Sequence, residues 1–170
     1  RKRMFSGYKD GRKPIRLNRS INQNLSPDEE ETNKNIQFLK LIEYLNEMPI
    51  IQLVLDDIEA DDIIARVCNL RCLQGKTKVI ISSDKDFIQL CNKETLLYRP
   101  VQKEILNIPG IVEKYSIHPN NFAVARAIVG DKSDNLEGIS GAGLKTVAKR
   151  FPFLKEEKSY SMTEIFDYCF

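Results

Sequence analysis

The sequence predicts an α/β domain built on a parallel sheet, followed by an all-helical segment. Strand-length apolar runs at IIQLVL (50–55), KVIISSD (78–84) and TLLYRP (95–100) alternate with helical spacing over roughly 60–73 and 86–91. Such alternation marks βαβ units, whose sheet is covered by helices on both faces. Beyond about residue 107 the pattern becomes all helix, at 109–115, 120–129, 142–150 and 162–169. At 170 residues and 42% hydrophobic, the chain can bury one core, or a core with a small subdomain.

Taken in order, residues 1–19 carry eight Lys or Arg against the single acid Asp10, and Gly7, Gly11 and Pro14 interrupt any long helix. A solvated terminus is the simplest account of such a run. Ser26-Pro27-Asp28-Glu29 reads as a helix start, with Ser26 as N-cap, Pro27 at the first helical position and Glu29 closing a capping box. Ile36, Leu39, Ile42 and Leu45, beside Phe38 and Leu41, predict a wide buried face reaching about Glu47. The helix after the first strand places Ile63, Ile64, Val67 and Leu70 at helical spacing, and Gly75 ends it.

A net charge of +2 is too small to imply a nucleic-acid partner, so charge has to be read locally. Cys68, Cys72, Cys91 and Cys169 form no CxxC pair, and His118 is the only histidine. Free thiols follow, and a structural zinc site or a Ser-His-Asp mechanism finds no support. No signal-peptide core and no apolar run near 18 residues is present, so a soluble cytoplasmic protein without membrane contact is expected.

Carboxylates gather in three places: Glu59, Asp61 and Asp62 in DIEADDII, Asp84 and Asp86 in IISSDKDF, and Asp131 and Asp134 in GDKSDN. Ligands of open α/β sheets bind outside the carboxyl ends of the strands, where the first two groups fall. Each group also has a plain structural account: a helix dipole for the first, a helix cap for the second, an Asx-turn for the third. Two carboxylates about 4 Å apart repel by roughly 4 kcal/mol at an effective dielectric near 20. Seven converging acids would therefore need cations, and all-oxygen ligands select hard ions such as Mg²⁺, with Mn²⁺ as substitute. Spacing alone leaves the convergence open.

The glycines of LEGISGAGLKT do not make a nucleotide loop. From Gly138 to Gly143, Leu144 intervenes before Lys145-Thr146, one residue too many for GxxxxGK[ST], and the dinucleotide pattern GxGxxG fails at Thr146. A helix–hairpin–helix-type turn fits better: Gly141 and Gly143 bring backbone N–H groups to a phosphate, and Leu144, Val147, Ala148 and Phe151 bury one face. Lys145, Thr146 and Lys149 then face phosphates, giving sequence-independent, salt-sensitive binding.

EADD, SSDKDF and AIVGDKSDNLEGISGAGLKT, in this order and spacing, resemble the 5′ nuclease family, as does RKRMFSGYKDGRKP with its YKxxR pattern. That family includes the 5′–3′ exonuclease domain of bacterial DNA polymerase I, phage 5′–3′ exonucleases and flap endonucleases. The resemblance runs from Arg1 to about Phe151. It implies a parallel-sheet, PIN/5′-nuclease-like core over 26–118, preceded by a basic arch segment (1–25) and followed by a helix-3-turn-helix (H3TH, SAM-like) subdomain (119–170). It implies that Glu59, Asp61, Asp62, Asp84, Asp86, Asp131 and Asp134 bind two Mg²⁺ ions, with K⁺ at the hairpin turn. Lys9 would stabilise charge on the scissile phosphate, Arg12 and Arg1 would steer the 5′ strand, and Gly141, Gly143, Lys145, Thr146 and Lys149 would hold the duplex.

Family members begin with a strand bearing a metal-binding Asp, and a second strand ends in a Phe-Asp-type pair before the arch. This sequence opens just beyond that point, so an N-terminally truncated core, poorly active by itself, is expected. The expected function is metal-dependent cleavage of DNA, or of an RNA primer, near 5′ ends and flaps, by a monomer in a bacterial or phage-infected cell. The alternatives are a catalytically silent DNA-binding relative and a PIN-type ribonuclease.

Overall fold

The apolar runs after residue 77 fold as their alternation predicts. In the computed structural model, which describes residues 6–11 and 25–170, β1 (Lys78–Ile81) and β2 (Thr95–Arg99) pair in parallel, Lys78 opposite Thr95 and Ile81 opposite Tyr98. An antiparallel strand that the sequence reading did not foresee, β3 (Glu104–Leu106), returns beside β2, so the order is β1-β2-β3. The chain reverses between β2 and β3 through Lys103, in the left-handed region at φ 51°.

Side chains alternate across these strands, as a pleat requires. Ile80, Leu97 and Leu106 are buried, whereas Val79, Ile81 and Ile105 are 52%, 70% and 64% exposed. The expectation of a sheet covered on both faces is thus corrected: among the described residues only one face is covered. The predicted strand at 50–55 does not form either. No strand ladder includes it, and Ile51 and Val54 are 87% and 86% exposed. A strand exists only through a partner's hydrogen bonds, and an apolar run cannot supply those by itself.

The chain divides into two compact units, 1–10 with 57–170, and 11–56. In the larger unit, α2 (Ala60–Cys68) gives way to a 3₁₀ turn at Arg71–Leu73, and Asp86–Leu90 is a 3₁₀ helix. Then come α3 (Ile108–Tyr115), α4 (Phe122–Val129), α5 (Leu144–Arg150) and α6 (Met162–Cys169), so the all-helical second half is as expected. Ile88, Leu97, Ile111, Ile117, Phe122 and Leu154 have no exposed surface, joining sheet and helices in one core. Each such side chain contributes about 1.5–3 kcal/mol by leaving water.

Asn121, wholly buried, ties the closing segment down. Its Nδ2 donates to the carbonyls of Leu154, Glu156 and Lys158 at 3.1, 3.1 and 2.8 Å, and its Oδ1 accepts from Tyr160 N at 2.9 Å. All four cysteines are free. No helix among the described residues is long and apolar enough to cross a membrane.

The smaller unit contains α1 (Pro27–Asn46), whose predicted start is observed: Ser26 Oγ accepts from Glu29 N, and the Glu29 carboxylate accepts from Ser26 N at 2.8 Å. Its predicted buried face is not, because Ile36, Phe38, Leu39 and Leu41 are all more than half exposed. Phe38 and Leu41 lie off the Ile36–Leu39 stripe, so apolar groups spread around the helix instead of collecting on one side.

Candidate active site

The 3₁₀ helix after β1 and the turn after α4 are brought together by one side chain, Arg126. Its Nε donates to Asp86 Oδ1 at 2.9 Å, its Nη2 to Asp131 Oδ2 at 2.5 Å and its Nη1 to Gly130 O at 3.3 Å. The acids of the second and third groups therefore meet across a shared guanidinium. Asp86 and Asp131 line a cavity of about 380 Å³ together with Tyr8, Arg126, Asp134 and Glu137. Burial, reinforced by Asp84 and Asp131, pushes the Asp86 carboxyl above its usual range in spite of Arg126. Burial acts the same way on Asp131, but the Ser133 hydroxyl and amide together with Arg126 outweigh it and hold that carboxyl low.

The local chain geometry explains how the acids are held. Asp84 Oδ1 accepts from Asp86 N at 2.9 Å, and Asp131 Oδ1 accepts from Ser133 N at 2.8 Å and Ser133 Oγ at 2.6 Å, both Asx-type turns. The buried Arg99 on β2 donates to the Ser83 carbonyl at 3.0 Å, fixing the chain just before Asp84, and pairs with Glu104 at 2.8 Å. Glu104 also takes Lys114 at 2.6 Å. Gly130 and Gly138 lie back to back: a Cβ on Gly138 would sit 2.1 Å from Val129 O, and one on Gly130 2.3 Å from Gly138 N. This contact, with the Asp131–Leu136 bridge, closes the loop that carries Asp131 and Asp134.

The turn at Gly7–Asp10 docks on the same loop. Asn135, left-handed at φ 59°, donates through Nδ2 to Gly7 O at 2.8 Å and Asp10 O at 2.9 Å, and Lys9 N donates to Asp134 O at 3.4 Å. Tyr8 is 7% exposed, and its hydroxyl donates to Glu59 at 3.3 Å. Lys9 Nζ donates to Glu59 Oε1 at 3.0 Å and lies 4.9 Å from the Tyr8 ring centre. Burial alone would lower the Lys9 ammonium, but Glu59 and Tyr8 outweigh it, so Lys9 remains charged to higher pH than an ordinary lysine.

Glu59 is thus linked through this turn to the Asp134 loop, and Asp86 to Asp131 through Arg126. Asp61 and Asp62 lie exposed in the first turn of α2, and Asp84 is exposed beside Asp86. Among the described residues, no three His, Cys, Asp or Glu close around one point as an ion cage. Arg1 and Arg12 lie outside the described residues.

Residues 1–116 match the family described as 5′-3′ exonuclease, N-terminal resolvase-like domain. The chain belongs to the 5′-3′ exonuclease family. The 5′-3′ exonuclease of Buchnera aphidicola subsp. Schizaphis graminum is 36% identical over 123 residues, covering 71% of this chain and 43% of that relative. DNA polymerase I of Caldicellulosiruptor bescii is 31% identical over 172 residues, 98% of this chain and 18% of the polymerase. The chain therefore spans less than half the length of these relatives. In fold it is similar to the bacteriophage T5 flap endonuclease, solved as a pseudo-enzyme-product complex with DNA and metal ions. That match has TM-score 0.69 and 20% identity, over 98% of this chain and 58% of that one.

In this exonuclease-family chain, the segment read as a hairpin turn leads into α5, which starts at Leu144 and not at 142. Gly141 takes φ +76°, a conformation L side chains rarely adopt, whereas Gly143 caps α5 with ordinary extended backbone. Val147, Ala148 and Phe151 are buried, and Lys145, Thr146 and Lys149 are exposed. Sequence reasoning missed Arg126, Asn135, Arg99 and the Gly130–Gly138 contact. Only Asn135 carried a local signal, because Asn tolerates left-handed backbone better than most residues.

Proposed function

We propose that the protein hydrolyses phosphodiester bonds of DNA near 5′ ends and 5′ flaps, with divalent ions held by Glu59, Asp61, Asp62, Asp84, Asp86, Asp131 and Asp134. The observation that carries this reading is the meeting of Asp86 and Asp131, from two separate motifs, on one cavity that Tyr8 and Asp134 also line. The donor set suits the ions, because it is all oxygen and contains no His or Cys. A pair of Mg²⁺ ions, or Mn²⁺ in their place, would polarise the phosphate and lower the pKa of an attacking water.

The chain's own residues do the rest. Lys9, held at the edge of the acids by Glu59 and by the Asn135 clamp, offers a fixed ammonium to charge developing on the phosphate. Lys145, Thr146 and Lys149 on α5 contact the duplex backbone without reading sequence, behind a helix-3-turn-helix turn at Gly141 that takes K⁺. On this reading the nuclease core lies within 26–118 and the DNA grip within 119–170, while Arg1 and Arg12, assigned to steering the 5′ strand, lie outside the described residues. The protein acts as a cytoplasmic monomer.

The test follows 5′- and 3′-labelled duplex and flap DNA with Mg²⁺ and then EDTA, for the protein and for Asp86→Asn and Asp131→Asn. Cleavage from the 5′ side that EDTA abolishes, and that each substitution cuts by orders of magnitude while sparing the fold, is expected. Near-normal cleavage by both variants overturns the site. The alternative reading is a silent DNA-binding relative. Metal-independent DNA binding without any cleavage would establish that instead.

A further inference from the structure

Arg126 bonds two of the acids assigned to the ions, and it does so from inside the cavity wall. Asp131 has little room left for another cation. Its Oδ1 already takes the Ser133 amide and hydroxyl, and its Oδ2 takes Arg126 Nη2 at 2.5 Å. Asp86 gives Oδ1 to Arg126 Nε at 2.9 Å. A divalent ion ligated by Asp131 Oδ2 sits about 2.1 Å from that oxygen, with a full positive charge on the same atom. The guanidinium is planar and always charged, so it cannot yield by losing a proton.

We infer that Arg126 is a resident counter-cation that holds the place of an ion between Asp86 and Asp131 and must swing aside before a divalent ion binds there. This rests on the metal reading of the site given above. Arg126 is suited to the movement. It is 24% exposed, and its third contact, Nη1 to Gly130 O, is at 3.3 Å. The consequence is a site with unequal affinities: an ion using the exposed Asp84 enters freely, whereas one between Asp86 and Asp131 competes with a tethered side chain. Arg126 is thus a positioning residue that sets when the second ion is admitted.

The test is calorimetric titration of the 170-residue chain with Mn²⁺, without DNA, for the wild type, Arg126→Gln and Arg126→Lys, with the melting temperature of each measured metal-free and metal-saturated. Removing one positive charge from beside the carboxylates is expected to tighten the weaker Mn²⁺ site at least about tenfold. The metal-free melting point should fall and be recovered by Mn²⁺. Arg126→Lys, which keeps the charge but not the fork, should lie between the two and guards against a folding defect in Arg126→Gln. Binding that is unchanged or weakened in folded variants overturns the inference and makes Arg126 a purely structural clasp. Absence of Mn²⁺ binding by the wild type overturns the metal reading and this inference with it.

Discussion

The back-to-back contact of Gly130 and Gly138 makes Gly138→Ala the sharpest probe of the acidic loop. An added Cβ would lie 2.1 Å from Val129 O, 2.2 Å from Val129 C and 2.5 Å from Gly130 N. Restoring an ordinary carbon–oxygen contact of about 3.3 Å moves backbone by roughly 1 Å. Overpacking costs about 1–3 kcal/mol when side chains can yield, and here every obstructing atom is backbone. The shift also strains the Ile139 N to Ile128 O bond at 2.9 Å and the two Asp131–Leu136 bonds at 2.8 Å, each contributing about 1 kcal/mol. A loss of about 4 kcal/mol follows, lowering the melting temperature by roughly 8–16 °C at this chain length. Gly143→Ala is the control, because nothing lies within 4 Å of its Cβ; as an N-cap change it should cost only about 0.5 kcal/mol. Differential scanning calorimetry of the two variants decides the matter. Equal melting temperatures would refute the packing argument, as would undiminished hydrogen-exchange protection of the Asp131 and Leu136 amides in Gly138→Ala.

Three further outcomes are expected. Asn121→Ala removes a donor from the Glu156 and Lys158 carbonyls and an acceptor from the Tyr160 amide, while Leu154 O keeps the His118 amide, so urea unfolding should show a loss of about 3 kcal/mol, with proteolysis beginning near residues 154–160. Glu104→Gln leaves the buried Arg99 without its carboxylate, at a half-buried position, and should destabilise by about 1.5 kcal/mol, the low end for a charge-assisted hydrogen bond; an unchanged midpoint would show that Arg99 finds enough in the Ser83 carbonyl. Glu164 is held down to about 2, against an ordinary 4.5, first by the Ser161 backbone amide and then by Lys158 and the Ser161 hydroxyl. A depressed carboxyl stabilises above its unfolded value, so the start of α6 should loosen as pH falls from about 4.5 toward 2. An NMR titration of the Glu164 side chain with a midpoint near 4.5 would contradict this.

What the sequence disclosed was local. Ser26 and Glu29 form their capping box because both partners lie within one helical turn, and β1 and β2 follow from their own apolar runs. The acids of EADD, SSDKDF and GDKSDN were legible as residues, but not the means that bring them together. Asn135 reaches Gly7 across 128 positions and Arg126 reaches Asp86 across 40, separations at which spacing carries no information. The run at 50–55 misled for the same reason: apolar content proposes a strand, but only a distant neighbour's hydrogen bonds make one.

The sheet with one covered face also governs how the protein behaves as a solute. β1 pairs only with β2 among the described residues, so its outer edge carries unmatched N–H and C=O groups beside the exposed Val79 and Ile81. Unpaired, apolar edges template pairing with other chains, and Lys78 is bound to Glu94 at 2.8 Å, leaving little charge to repel them. If that edge is open, light scattering is expected to show association that rises with protein concentration.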